Sequence, residues 1–351
     1  MIASKMNRIG RLDKARLFFF LTFIISLLFF MVKVPRISLP LSIAYITSLV
    51  LAPFIPKIMK IGVSRNISLI IVFVTTLFVT IYPVIKVVPG MVSEAQKLQH
   101  YIPKIETFVR TNYQTVKLTV KERTGFDIGD RFIRESIDYT RQITTSFLIQ
   151  APNFLASVVE WILLIPLFLF FLLKDGKGFK GLVLKTAPNF LFEKFYYLSD
   201  QFNRKLGDYI LAKVIEATIV LSIITIGLAV MDIRFSLILG LIAGVTNVIP
   251  YIGPIIGMIP AILLIAAEYG IGPVLGAVVI LYVVANAIDI GIVFPILVSK
   301  VVDLHPVLVV ISVVLGGQYL GVAGMVISIP LAASLKLLIF EIWQGLYASK
   351  Y

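Results

Sequence analysis

Apolar runs long enough to enter a bilayer recur along this chain, near residues 17–34, 37–56, 67–88, 152–173, 213–231, 236–267, 271–299 and 306–340. A helix crossing the hydrocarbon layer needs about 20 predominantly apolar residues. The first five runs are close to that length. The last three run to about 30 residues, so tilt, unwound centres or re-entrant hairpins must absorb the surplus. The pattern predicts an all-α fold: a polytopic membrane helical bundle of about eight spans, with broken or re-entrant helices in the C-terminal half.

Two segments between the runs have a different periodicity. In 89–150, apolar residues fall at Val92, Ala95, Leu98, Ile102, Ile105, Val109, Val116 and Val120, which is one face of a helix. The stretch Thr124 to Asp127 interrupts it, and a second pattern resumes at Phe132, Ile133, Ile137, Thr140, Ile143 and Phe147. This predicts an amphipathic helical hairpin outside the membrane, packing on itself or on a neighbouring subunit. In 174–213, Phe192, Phe195, Ser199, Phe202, Leu206 and Tyr209 form a stripe flanked by Lys and Arg. Such a helix either lies at the lipid head groups or docks on the bundle. The predicted organisation is a three-span segment over 1–88, the extracytoplasmic hairpin over 89–150, and a membrane core over 151–351 that includes the cytoplasmic helix 174–213.

The run 236–267 is broken near its middle by Asn247, Pro250, Gly253 and Pro254. Proline removes a backbone donor and clashes with the preceding turn. Freed backbone groups are costly in hydrocarbon and persist where protein or water satisfies them. Broken helices at membrane depth are typical of substrate and ion sites. The runs 236–267 and 306–340 also share an Ile-Pro step behind glycines, at Ile259-Pro260 and Ile329-Pro330.

Composition agrees with a membrane protein. Of 351 residues, 59% are hydrophobic and 15% charged, with a mean hydropathy of +0.98. Soluble domains are about 45–50% apolar and about 25% charged. The net charge of +13 belongs with cytoplasmic loops and anionic lipid heads, not with nucleic acid, for which no module is visible. Lys5, Arg8, Arg11, Lys14 and Arg16 precede the first run, Lys57, Lys60 and Arg65 follow the second, and seven cations lie between Lys174 and Lys205. The positive-inside rule makes these cytoplasmic and places both termini inside.

Cysteine is absent and only His100 and His305 are present. Thiolate chemistry is excluded, and a histidine metal site is not expected. No nucleophile elbow, phosphate loop or zinc-binding His pair is found. The reading is therefore no enzyme, no catalytic residues, no cofactor and no metal site. Ionisable groups at membrane depth are the stronger signal, since an Asp at a helix centre costs about 2.5–3.5 kcal/mol on insertion scales. Asp289 lies well inside the seventh run, with Asn286 three residues before it and Gly291 and Pro295 permitting a local break. Glu216 is near the start of the fifth run, where Lys213 can pair with it, either as an interfacial ion pair or as part of a relay. Gln318 lies within a glycine-rich tract of the last run. The candidate pathway is Asn247, Pro250, Gly253, Pro254, Asn286, Asp289, Gln318 and Glu216, meeting around hydrated space.

At FFLLKDG (170–176), GLIAGVTNVIPYIGPIIGMIP (240–260), FPILVSKVVDLHP (294–306) and LGGQYLGVAGMVISIPLAA (315–333) the chain resembles the autoinducer-2 exporter family. The resemblance implies an oligomeric, multi-pass protein of the bacterial inner membrane, with lipid as a partner. It also implies a secondary exporter of a small hydrophilic metabolite, the family's members being linked to autoinducer-2 export or to sodium–proton exchange. Relatives often carry Glu-Gly where Asp289-Ile290 stands, so a family role passes to a carboxylate one methylene shorter. Two alternatives stay open: a sodium (lithium)–proton antiporter using Asp289, and a non-transporting membrane scaffold acting through residues 89–150.

Overall fold

The computed structural model describes residues 33–99, 101–125, 160–176, 189–250, 252–297 and 304–347, with isolated positions between them. All regular structure among the described residues is helical. In chain order the helices are α1 (Pro35–Leu51), α2 (Phe54–Met59), α3 (Arg65–Gln99), α4 (Ile102–Thr124), α5 (160–176), α6 (Asn189–Val230), α7 (Ser236–Thr246), α8 (Gly253–Tyr269), α9 (Pro273–Ile288), a π-helical turn (Asp289–Val293), α10 (Phe294–Leu297) and α11 (Pro306–Tyr347). The first predicted run and the second half of the predicted 89–150 hairpin fall largely outside the described residues.

Among the described residues, four stretches are long and apolar enough to cross a membrane: Arg36–Met59, Arg65–Pro83, Ser199–Val230 and Pro273–Leu297. Most of their surface is outward. Ile67, Ile70, Val74, Phe78 and Val79 of α3, for example, are all more than half exposed. Such an apolar exterior suits lipid rather than water. The chain is a multi-pass helical membrane protein.

Two compact units form by contact: one from Met1–Ile81, Val159–Leu211 and Val301–Tyr351, the other from Tyr82–Val158 and Ala212–Lys300. In the first, Ala44, Ile55, Leu69, Val72, Leu169 and Leu173 make a core from α1, α2, α3 and α5. Arg65 of α3 donates to the carbonyl of Lys174 at 2.9 Å, and Tyr45 of α1 to Asn203 at 2.8 Å. The second unit holds the larger core, with Val220, Ile224 and Leu228 of α6, Leu239 and Ala243 of α7, Ala261, Leu264 and Ile265 of α8, and Val278, Tyr282 and Ala285 of α9.

The long run 236–267 is a re-entrant hairpin, not a tilted span. Helix α7 has 11 residues and is about 16 Å long at 1.5 Å per residue, too short for an apolar layer of about 30 Å. It turns at 247–252, and α8 packs back along it. A Cβ on Gly257 of α8 would stand 2.9 Å from Cα of Ala243, so the two backbones nearly touch. Gly240 and Gly244 on the same helix let α7 lie against α6, where added methyls would collide with Thr225, Leu221 and the Ala217 carbonyl. This is small-residue packing at spacing four, the usual device for close helix contact in lipid.

Helix α11 also doubles back. A straight helix separates residues 316 and 324 by about 12 Å, yet a methyl on Gly316 would strike the carbonyl of Gly324 and lie 2.8 Å from Cβ of Ser328. The two segments sharing the Ile-Pro step are thus both glycine-lined and folded back.

Residues 271–299 behave differently again. Pro273–Leu297 is one 25-residue span, widened at Asp289–Val293 into a π turn in which the Phe294 N–H reaches the Asp289 carbonyl. Pro295 explains the widening: it has no N–H to give and its ring would crowd the carbonyl four residues back. Such wide turns are frequent at functional sites.

Candidate functional site

A buried polar cluster forms in the second unit where α6, the α7–α8 turn and the π turn meet. Helix α6 supplies Lys213 and Glu216, three residues apart and so on one helix face. Their ion pair measures 2.7 Å between Nζ and Oε1, with side chains 3% and 2% exposed. The ammonium also stands 5.7 Å from the centre of the Phe294 ring, within cation–π range. Helix α6 begins at Asn189 and its apolar span at Ser199. Glu216 is therefore in mid-helix, 17 residues into that apolar stretch.

Asn247 closes α7, and the chain turns because Pro250 cannot continue the ladder. The turn closes its own donors: the N–H groups of Asn247, Val248, Ile249, Ile252 and Gly253 bond to carbonyls three, four or two residues back. What the turn presents to the cluster is therefore the Asn247 side chain. Its Nδ2 donates to Glu216 Oε1 at 3.4 Å and to Asp289 Oδ2 at 3.2 Å. One amide thus bridges carboxylates from two different helices.

Asp289 is the first residue of the π turn and 5% exposed. The remaining carboxylate oxygens, Glu216 Oε2 and Asp289 Oδ1, are buried with no hydrogen-bond partner among the described residues. A buried charged oxygen left unpaired carries a desolvation cost of more than about 1–3 kcal/mol. Fully ionised, the four groups sum to one negative charge. The cluster is deep: at 1.5 Å per residue Glu216 is about 21 Å along α6 from Val230 and Asp289 about 24 Å from Pro273.

The structure therefore brings together three of the predicted residues, Glu216, Asn247 and Asp289, and adds Lys213. Pro250 and Gly253 are buried in the turn and shape it, and Pro254 opens α8. Asn286 is half-buried and makes no hydrogen bond to the cluster. Gln318 is exposed and belongs to the other unit. The expectation of hydrated space is not met at the cluster, where Lys213, Glu216 and Asn247 are each 2% exposed. An open groove of about 500 Å³ lies instead between α4 and α8, lined by Pro103, Lys104, Thr107, Phe108 and Ala267 among others.

At the open end of the hairpin, Tyr101 joins α4 to the core. Its hydroxyl accepts from Arg234 at 2.9 Å and donates to Glu268 at 3.3 Å, and its ring meets Phe235 edge-on at 5.4 Å. Arg234 and Glu268 are themselves 3.7 Å apart. Helix α4 thus packs on α8 of its own chain. Position 101 carried no signal in the sequence, since a Tyr before a helix is unremarkable until its partners are known.

Comparison with known proteins agrees with this architecture. The family model described as AI-2E family transporter matches residues 17–343. The protein YrrI of Bacillus subtilis (strain 168) is 29% identical over 318 residues, covering 89% of this chain and 88% of YrrI. The AI-2 transport protein TqsA of Escherichia coli (strain K12) is 22% identical over 308 residues, 86% of this chain and 85% of TqsA. PerM of the same organism is 25% identical over 189 residues, about half of each chain. With a match over nearly its whole length, the chain belongs to the AI-2E transporter family.

Proposed function

We propose that this protein is an inner-membrane secondary transporter that exports a small hydrophilic metabolite, with both termini cytoplasmic, and that Lys213, Glu216, Asn247 and Asp289 form its coupling site. One observation carries the reading. Two carboxylates from separate helices are held by an amide at the tip of a re-entrant hairpin, deep in an apolar span. Intramembrane ionisable groups are expensive and mark ion and substrate routes, and half-helix ends at the midplane are where transporters bind. Because the cluster is closed, exposing it to either side requires the α7–α8 hairpin to move relative to α6 and α9. The glycine contacts along α7 permit sliding without large side chains to unlock.

The name of TqsA makes autoinducer-2 the first cargo to test. Purified protein in liposomes, loaded with autoinducer-2 and given an inward sodium or proton gradient, is expected to release it faster than protein-free vesicles. No flux of autoinducer-2, of a panel of small polar metabolites or of sodium would refute the reading. Sodium–proton exchange at Asp289 is the second reading, favoured by the unpartnered Asp289 Oδ1. It predicts sodium-triggered alkalinisation of everted vesicles with no cargo present. The scaffold reading predicts instead that removing 89–150 abolishes the phenotype while Asp289→Asn leaves it intact.

A further inference from the structure

The proposed coupling site contains more than is needed to hold two carboxylates apart. An amide bridge alone would do that. Lys213 adds a positive charge at 2.7 Å from one of them, buried to the same degree. The ammonium engages one oxygen of Glu216 and no oxygen of Asp289 within ion-pair distance. Its other neighbour is the face of Phe294, a weak and non-directional contact that a lysine can leave without stranding a hydrogen bond. Lysine is a compact charge on a flexible four-carbon stem, so the charge can withdraw while its backbone stays in α6.

We infer that Lys213 is a tethered stand-in for a transported monovalent cation, Na⁺ or Li⁺, and that cation and ammonium occupy the Glu216–Asp289 pair alternately. The inference rests on the transporter reading above and deepens it. The donors favour this ion class. Glu216 Oε2 and Asp289 Oδ1 are hard, buried oxygens lacking a partner, and the Asn247 amide holds the other oxygen of each carboxylate. Oxygen ligands select hard cations, and two carboxylates fall short of the six to eight oxygens a calcium ion takes. Charge points the same way. A monovalent ion carries the same charge as the ammonium, so the ionised pair and its occupant hold one net negative charge in either state.

A stand-in reduces the apparent affinity of the ion it mimics. If the ammonium holds the pair more than nine-tenths of the time, the site is competent less than one-tenth of the time, and the apparent dissociation constant is raised at least about tenfold. The energetic use of such a device is that neither half of the cycle leaves two bare carboxylates in hydrocarbon.

The test is equilibrium binding of radioactive sodium to the purified full-length protein, with choline holding ionic strength constant. Lys213→Met is expected to bind sodium at least about tenfold more tightly than wild type, and Asp289→Asn to lose specific binding. Lys213→Arg, whose planar fork engages a carboxylate more persistently, is expected to bind at least several-fold more weakly. Unchanged or weaker affinity in folded Lys213→Met overturns the inference, as does absence of sodium and lithium binding in that variant. Should Lys213→Met not yield folded protein, the arginine variant decides, and wild-type affinity in it is the overturning result. Cargo flux through liposomes made from the same wild-type preparation separates the two claims. Flux with no effect of the lysine variants on sodium affinity rejects the stand-in and leaves transport standing. A lysine effect without flux keeps the cation site and rejects the transporter.

Discussion

Replacing Gly253 by alanine probes the tip of the hairpin with a single methyl. The added carbon would collide with the Thr246 carbonyl oxygen, and would stand 2.6 Å from the carbonyl carbon and 3.0 Å from Asn247 Cα. Carbon atoms settle about 3.5–4.0 Å apart, so the Thr246–Asn247 backbone must retreat by about 1 Å. All the obstructing atoms are main chain, and no rotamer change relieves them. Overpacking of this kind costs about 1–3 kcal/mol. The alanine also gains at most about 1 kcal/mol of helix propensity at the start of α8, so the clash wins. The same retreat moves Asn247, whose bonds to Glu216 and Asp289 already measure 3.4 and 3.2 Å. Neither survives a further 1 Å, and each hydrogen bond to a charged group is worth about 1.5–3 kcal/mol. The net expectation is a loss of about 3–8 kcal/mol. Gly291→Ala is the control, because nothing lies within 4 Å of its added carbon. Reversible unfolding in mixed detergent micelles reads the stability, and gradient-driven flux reads the site. Gly253→Ala with the stability and flux of Gly291→Ala would refute the account of the turn.

Asp289→Asn keeps a side chain of the same shape and is expected to fold normally while gradient-coupled flux falls at least tenfold, measured in liposomes. Breaking the buried ion pair with Lys213→Met or Glu216→Gln alone should cost about 3–5 kcal/mol, while the double replacement recovers most of that; chemical unfolding of the three variants checks it. Tyr101→Phe removes the hydroxyl shared by Arg234 and Glu268, with an expected loss of about 1 kcal/mol and faster protease cleavage within α4. Ile224→Ala empties a fully buried position in the second unit's core and should cost about 2–5 kcal/mol in the same unfolding assay.

Hydropathy made the helical membrane class legible, because a run of about 20 apolar residues has few alternatives. The break at Asn247–Pro254 and the isolated carboxylate Asp289 were legible for the same reason, each being costly without a partner. What hydropathy did not contain was the form of the surplus length. Runs 236–267 and 271–299 look alike in composition, yet one is a hairpin and the other a span with a π turn. The difference lies in where the proline falls relative to a polar residue and a run of small ones. Gly253 and Gly257 permit the fold-back against Thr246 and Ala243, whereas Gly272, Gly276 and Gly291 of the other run face open space. Sequence leaves Glu216 between an interfacial ion pair and a relay because its apolar run starts near residue 213; the helix starts far earlier, with an amphipathic face that lowers hydropathy without ending the helix. Lys213 was recognised only as a neighbour of Glu216, since sequence spacing shows a pair but not the third element that encloses it. Gln318 looked like a lining residue by composition, and its exposed place follows from the fold-back of α11.

The π turn sets which side chains share a direction. At about 100° per residue, an ordinary helix would point positions 289 and 294 some 140° apart. Closing the loop over five residues returns them to nearly the same azimuth, so the carboxylate and the aromatic ring flank one target from a single rod. The proline downstream thereby acts as a phase shifter. Restoring an ordinary helical turn there without deleting a residue would swing Phe294 away from the ammonium and leave every residue beyond it facing a new neighbour.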